Sequence, residues 1–463
     1  MISHLWPFAM CTTLFKSVYS SFLSLANGMT LLRLQTMKRV YLDYAAATPL
    51  DKEVREAMAP FMSSAYGNPS AIHAEGVAAR KAVEGARATI ATVFGVLPRN
   101  IVFTSSATES ASLAIVGAVD AWKKVHPGRT PHIIVSAIEH DAVLAPARAL
   151  EEDGVRVTRL RVLHSGIIDI AKLEQSITLD TVVISLQYAN NEVGTIQPLQ
   201  AAAKTIRKWK KAHREVSRSH KPEGEQHYPL LHTDAVQATN YLDLNIPRLG
   251  VDLMTLNASK IYGPKGIALL HTQSGISINP MIVGGGQEGG MRAGTEFVSG
   301  IVGFAKALEI ASRMREQESA RLTLLRDALT SALRNIPGLI INGDTKARLP
   351  NNVHFSLPDV DHEYLALLFD ARGFAVATKS ACNETDAETS HVLLAMRGNE
   401  NEEANEKASK KTREKTRKVT KDETNSPISG IRISMGRDTS AEDIDAFIKT
   451  LKDILAEGLL TQP

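Results

Sequence analysis

The chain has 463 residues, 44% hydrophobic and 22% charged, a balance that excludes disordered and fibrous classes. Its length exceeds what one hydrophobic core supports comfortably, so two domains are expected. A net charge of +3 is small for this length and does not indicate a dedicated nucleic-acid binder, and no apolar run suits a membrane span. The two cysteines, Cys11 and Cys382, exclude a disulfide framework or cysteine-rich zinc site and fit a reducing, cytoplasmic setting.

Residues 1–36 contain no Asp or Glu and many Ser, Thr and Leu. Such a leader suits a transit peptide, a weak export signal or an upstream start chosen in error. The last is expected, with Met37 as the start and 1–36 otherwise a disordered extension, because Lys38-Arg-Val-Tyr-Leu-Asp43 opens an ordered pattern at once. From Val40 onward strand-like runs alternate with helical ones. Strands are predicted at Ile101–Thr104, His132–Val135, Val155–Thr158, Thr181–Ser185, Leu230–His232, Asp252–Met254 and Ile267–Leu270. Apolar residues at helical spacing fill Ala74–Phe94 and Ala111–Trp122. The alternation predicts an α/β fold, a mainly parallel sheet covered on both faces with its ligand at the carboxyl ends of the strands. A long amphipathic stretch, Val298 to Asn335, leads from a large domain, 52–310, to a smaller α/β domain made of 37–51 and 311–463. Two stretches break the pattern. Arg214–Tyr228 is polar and predicted to be a surface insertion. Asn399–Asn425 is charged and low in complexity, acidic first and then basic, so it is expected to be disordered or a solvated helix, with a basic interaction tail as the sharper alternative.

Several segments carry chemistry. Thr104-Ser-Ser-Ala-Thr108-Glu-Ser follows a strand and opens a helix, where free backbone N–H groups suit a phosphate; an ordinary N-cap is the plainer reading. Glu139-His140-Asp141 follows the strand Ile133–Ser136, where His140 can stack on an aromatic cofactor and move protons, or simply cap a helix. Asn190-Asn191-Glu192-Val-Gly194 follows another strand and is either a ring-oxygen contact or a turn. Leu230-Leu-His-Thr-Asp234-Ala-Val-Gln237 ends in a buried-looking aspartate, and Asn257-Ala-Ser-Lys260-Ile-Tyr-Gly-Pro-Lys-Gly266 presents a lysine after the next strand. A lysine and an aspartate leaving neighbouring strands are what pyridoxal phosphate requires: an amine for its aldehyde and a carboxylate that keeps its ring nitrogen protonated. The run Ile282–Thr295 is too glycine-rich for a helix or strand and suits a site-lining loop, with a linker as the alternative. Cys382 lies in a polar stretch beside Lys379, which favours a nucleophilic thiol over an inert core residue. Gly430-Ile-Arg432-Ile-Ser-Met-Gly436 reads as a strand carrying an arginine suited to a substrate carboxylate or to a surface ion pair.

Together these segments resemble cysteine desulfurases of the housekeeping and nitrogen-fixation type, pyridoxal phosphate enzymes of the class V aminotransferase superfamily. The resemblance runs in order through Tyr41-Leu-Asp-Tyr-Ala-Ala-Ala-Thr-Pro49, Gly67-Asn-Pro-Ser70, Phe103–Ser110, Asn190-Asn-Glu192, Lys260–Gly266, Gly284-Gly-Gly286 and Arg432–Arg437. It implies the fold type I of such enzymes, with a mainly parallel seven-stranded sheet and a smaller α/β C-terminal domain. It also implies roles. Lys260 would hold the cofactor aldehyde, Asp234 would pair with the pyridine nitrogen, and His140 would stack on the ring. Asn191 and Gln237 would lie near the ring oxygen. Ala107, Thr108, Asn257 and Ser259 would hold the phosphate, joined by Thr295 from a neighbouring subunit, which implies a homodimer. Arg432, Asn68 and Asn191 would bind the carboxylate of L-cysteine. Cys382 would accept its sulfur as a persulfide, leaving alanine, and pass it to an acceptor such as an iron–sulfur scaffold or a tRNA-thiolation enzyme. No metal, direct nucleic-acid partner or membrane is implied.

The chain departs from the family pattern in places. Asn257-Ala-Ser-Lys260 stands where members show Ser-Gly-His-Lys, so an imidazole is missing from the phosphate ligands. Ser106 and Gly289 replace a glycine and an arginine, and Thr378–Glu384 replaces a serine-rich surround of the nucleophile. An aminotransferase or selenocysteine lyase on the same fold is the alternative enzyme. A non-catalytic scaffold docking through its charged insert is the alternative of another kind; retention of Lys260, Asp234, His140, Cys382 and Arg432 argues against it.

Overall fold

The structure is a computed structural model that describes residues 38–213, 228–378, 389–397 and 429–458. The readings made for residues 1–36, for the insertion after His213, for Cys382 and for the charged stretch 399–425 lie outside the described residues.

The strands are β1 (Val40–Tyr41), β2 (Ile101–Thr104), β3 (His132–Ser136), β4 (Arg156–Leu160), β5 (Thr181–Ser185), β6 (Leu230–Asp234), β7 (Leu253–Asn257), β8 (Ala268–Thr272), β9 (Ile340–Asn342), β10 (Asn352–Ser356), β11 (Phe374–Ala375) and β12 (Ile431–Ser434). A seven-stranded sheet runs in the order β2-β8-β7-β6-β5-β3-β4. The neighbours from β4 through β7 pair in parallel, and β8 runs antiparallel to both β7 and β2. The expected mainly parallel sheet is present, with strand ends shifted by one to three residues at β3, β4, β6, β7 and β8.

Side chains of successive strand residues point to opposite faces. In β2, Ile101 and Phe103 enter one apolar cluster and Val102 the other. Helices cover both faces. Ala74–Phe94, Leu199–Ala212 and the first part of Val298–Arg334 pack on the first, and Ala107–Val125 and Asp141–Glu152 pack on the second. Their ends are written locally. Ser106 caps Ala107–Val125 by accepting the Glu109 N–H at 3.1 Å, and Gly95 ends Ala74–Phe94 in the left-handed conformation at φ 69°. A third apolar cluster joins β1, β10, β12, the later part of Val298–Arg334 and the helices His362–Ala371 and Ala441–Ala456. The long helix therefore contributes to both the first and third clusters. Within that third region, β12-β10-β9 form an antiparallel sheet and β1 pairs with β11 in parallel. No helix among the described residues is long and apolar enough to cross a membrane.

Candidate active site

The sheet register gathers several of the predicted residues at one edge. Ser185 at the end of β5 pairs with Val135 and His232, and Asp234 at the end of β6 pairs with Thr255. Asn257 at the end of β7 pairs with Ala268, which also pairs with Thr104 at the end of β2. The segments carrying His140, Asn191, Asp234, Lys260 and the Ala107–Thr108 turn therefore all leave the carboxyl edge of the sheet.

Asp234 Oδ1 accepts the Val236 N–H at 2.9 Å. Burial raises the pKa of this carboxyl, opposed by that N–H and by the nearby His140 and Lys260. His140 caps the helix Asp141–Glu152, its Nδ1 accepting the Ala142 N–H at 3.0 Å. In the neutral ring that bond leaves Nε2 carrying the proton. Lys260 ends the short 3-10 turn Ala258–Lys260, and its Nζ donates to the carbonyl of Ala46.

The residues expected to hold a phosphate lie in turns. With Ser106 as cap, Ala107 and Thr108 stand at the head of their helix, where N–H groups have no partner in the preceding turn. Asn257 Oδ1 accepts the Ser259 N–H at 3.0 Å, which leaves the Asn257 amide nitrogen and the Ser259 hydroxyl as the side-chain donors there.

The segment Asp43–Thr48 binds these parts together. Ala45 O accepts from Gln237 Nε2 at 3.0 Å, and Thr48 donates to Ser259 O through its N–H at 3.2 Å and its hydroxyl at 3.0 Å. Asp43 Oδ1 accepts from Arg432 Nη2 at 2.7 Å. Arg432 lies on β12 with its side chain only 3% exposed. Its Nη1 donates to Asn191 O at 3.0 Å, and its buried Nε has no partner among the described residues.

Sequence reasoning missed three contributors. Asp43 was part of a motif without a role. Glu139 is fully buried: its Oε1 accepts from Ser136 Oγ at 2.5 Å and the Gln187 N–H at 2.8 Å, while Oε2 has no partner among the described residues. Burial pushes this carboxyl up to about 8. Glu192 accepts from Ser390 Oγ at 2.6 Å. The position of Glu139 beside His140 was the only available signal. Cys382 itself lies outside the described residues, yet both flanks of its segment meet the site. The Arg432 N–H donates to Ala377 O at 2.6 Å on one side, and His391 Nε2 donates to Glu139 O at 3.0 Å on the other. Asn68 and Thr295 are exposed, and among the described residues no hydrogen bond joins either to this group.

The arrangement supplies an amine, a buried carboxyl, a proton-bearing imidazole and an incompletely satisfied guanidinium at one sheet edge. Comparison with known proteins gives the same direction. The family model for aminotransferase class-V matches residues 40–219 and 220–447. The chain is 42% identical over 362 residues to the protein named cysteine desulfurase IscS of Dictyoglomus turgidum, covering 78% of this chain and 86% of that one. Among solved structures it is similar to a NifS-like protein with a TM-score of 0.75 at 33% identity, covering 90% of this chain and 99% of the other. It is also similar to SspA in complex with cysteine, with a TM-score of 0.63 at 32% identity, covering 77% and 94%.

Proposed function

Because the chain belongs to the aminotransferase class-V family, and within it to the cysteine desulfurases, we propose that it takes sulfur from L-cysteine, releases L-alanine and holds the sulfur on Cys382 as a persulfide. The observation that carries this reading is the convergence of Lys260, Asp234 and His140 at one sheet edge with a buried Arg432 whose Nε has no partner among the described residues.

Enzymes of this family use pyridoxal phosphate, and the residues fit it. Asp234 is a carboxyl that burial drives toward neutrality, and a protonated ring nitrogen would hold it ionised. Lys260 would hold the aldehyde. Ala107, Thr108, Asn257 and Ser259 would donate to the phosphate, and Asn191 and Gln237 would lie at the ring oxygen. When bound, the cofactor supplies an electron sink. His140 would hold or move a proton through Nε2, because Nδ1 accepts the Ala142 N–H. Arg432 would bind the substrate carboxylate through its Nε, which has no partner among the described residues, and the family resemblance would add Asn68 and Asn191. The Cys382 thiolate forms the new S–S bond as the C–S bond of the substrate breaks, and the carbon takes up a proton. The sum is L-cysteine plus enzyme thiol giving L-alanine plus enzyme persulfide, with no outside oxidant.

Thr295 is exposed in the single chain, which suits a role at the phosphate of a second copy and hence a homodimer. The persulfide would pass to an acceptor such as an iron–sulfur scaffold or a tRNA-thiolation enzyme, in the cytoplasm, where a reducing milieu preserves thiol chemistry. The test is sulfide release from L-cysteine with a thiol reductant, using cofactor-loaded protein beside Cys382→Ala. Release by the parent alone, with one added sulfur on Cys382 by mass spectrometry before reduction, is the expected result. Cofactor-loaded parent that releases none, but transaminates or acts on selenocysteine, would replace this reading.

A further inference from the structure

At the end of the large sheet opposite Asp234 and Lys260, a cavity of about 510 Å³ opens where β6 and β7 begin. Its size lies in the range of small-ligand sites, roughly 300–1,000 Å³. Part of its wall is apolar, including Ile206, Ile246 and Val251.

Three polar features stand out within it. His271 of β8 is 1% exposed and pairs with Ile101 and Met254, so it sits on the sheet face of the first core cluster. Both its ring nitrogens are buried without a partner among the described residues. The contrast is His232 on β6, whose nitrogens meet Ser185 Oγ at 2.8 Å and Thr255 Oγ1 at 3.0 Å. Burial pushes His271 down to about 4, so its ring is neutral and offers one donor and one acceptor. Arg207 is exposed at the rim, with no hydrogen bond or ion pair among the described residues. Its guanidinium lies against Gly250, where a Cβ would stand 2.5 Å from Nη1, so the glycine makes room for it. Lys210 stands 3.8 Å from Asp252, whose carboxylate also accepts the Leu231 N–H at 2.8 Å. Among the described residues that line the cavity, two cations thus face one carboxylate.

We propose that this cavity is a second ligand site, for a small organic anion with an apolar body, whose acid group meets Arg207 and Lys210 and whose far hydrogen-bonding group meets His271. The site is independent of the desulfurase reading, because its walls share no residue with the candidate active site. A buried imidazole with both nitrogens open is costly in an apolar wall, and a ligand hydroxyl satisfies it. The unpaired guanidinium gives the acid a charge-assisted contact.

The test is calorimetric titration of the cofactor-loaded full chain with 4-hydroxybenzoate, which carries both groups on one ring. Saturable binding of one molecule per chain, with a Kd of about 1 mM or tighter, is expected. Arg207→Gln, at an exposed side chain, weakens it at least about tenfold, and His271→Phe does so while keeping the thermal midpoint at or above that of the parent. Neutral 4-hydroxybenzyl alcohol binds at least about tenfold more weakly than the acid. Arg432→Lys leaves binding unchanged. Absence of saturable binding, equal binding of the neutral analogue, or loss in Arg432→Lys with retention in Arg207→Gln overturns the proposal.

Discussion

Two buried arginines separate structure from function in this molecule. Arg87, behind the edge strand β2, is fully committed: both terminal nitrogens donate to Glu288 at 2.8 Å, Nη1 also donates to Ile101 O at 2.7 Å, and Nε donates to Glu84 at 3.2 Å. Glu288 in turn accepts the Phe103 N–H at 2.8 Å. Arg432, at the carboxyl edge, is buried more deeply yet among the described residues meets one oxygen of Asp43 and one carbonyl, with Nε left over. Charge is alike in the two places, and both side chains are largely buried. Unspent hydrogen-bonding capacity distinguishes them, and Glu139 Oε2 beside His140 repeats the pattern.

The comparison breaks most readily at Arg87. Its removal strands Glu288, 3% exposed, without its cation, so Arg87→Ala is expected to cost about 3–5 kcal/mol of stability. Denaturant midpoints measure this, and a loss under about 1 kcal/mol would mean that saturation does not mark a structural pair.

Glu139 is the next largest. Its carboxyl titrates near 8 when folded and at the ordinary lower value when unfolded, so both states are protonated at acid pH. As pH rises from about 4.5 to about 8 the unfolded chain loses its proton first, and stability falls across that window. The contribution is at most about 5 kcal/mol at one pKa unit per 1.36 kcal/mol. Glu139→Gln keeps an acceptor for Ser136 and Gln187, so it should remove the slope and exceed the parent in stability at pH 8.5 (roughly the plateau). Equal pH slopes in parent and variant would count against a neutral buried acid here.

At Arg432 the expected loss is in binding rather than folding. Arg432→Lys keeps the charge but cannot present the Nε edge, so KM for L-cysteine should rise about tenfold or more, with a smaller change in kcat. A large stability loss with unchanged KM would place Arg432 with Arg87.

Much of this was legible in the sequence. The strands alternate with helices at the expected spacings, and Asp234, Asn257 and Lys260 leave neighbouring strands as the order of segments required. Strand ends drifted because β4 is an edge strand with exposed arginines, so its apolar pattern is thin. What the sequence did not disclose depends on distant partners. The Asp43–Arg432 pair spans 389 positions and Arg87–Glu288 spans 201, and no local pattern announces either. The stitching role of Ala45 and Ala46 uses backbone carbonyls, which side-chain identity does not reveal. The buried Glu139 takes its hydrogen bonds from Ser136 Oγ and from the Gln187 N–H 48 positions away, and its own residue type announces neither its burial nor the second partner.

The smallest expected effect tests whether the edge network is divisible. Ser390 Oγ donates to Glu192 at 2.6 Å and accepts the Leu393 N–H at 3.2 Å, so one hydroxyl satisfies a buried carboxylate and caps the helix His391–Arg397. Ser390→Ala removes both bonds and should cost about 1–2 kcal/mol, read from the denaturant midpoint. Arg432 is held by the carbonyl of Asn191, not by the Glu192 side chain, so KM for L-cysteine should stay within about twofold of the parent. Were KM to rise with the loss of stability, the Glu192 carboxylate would be setting the Asn191 carbonyl, and the open guanidinium would belong to one coupled unit with the helix that follows Cys382. In that event the contrast with Arg87 would lie in the shared network rather than in the single unpaired nitrogen.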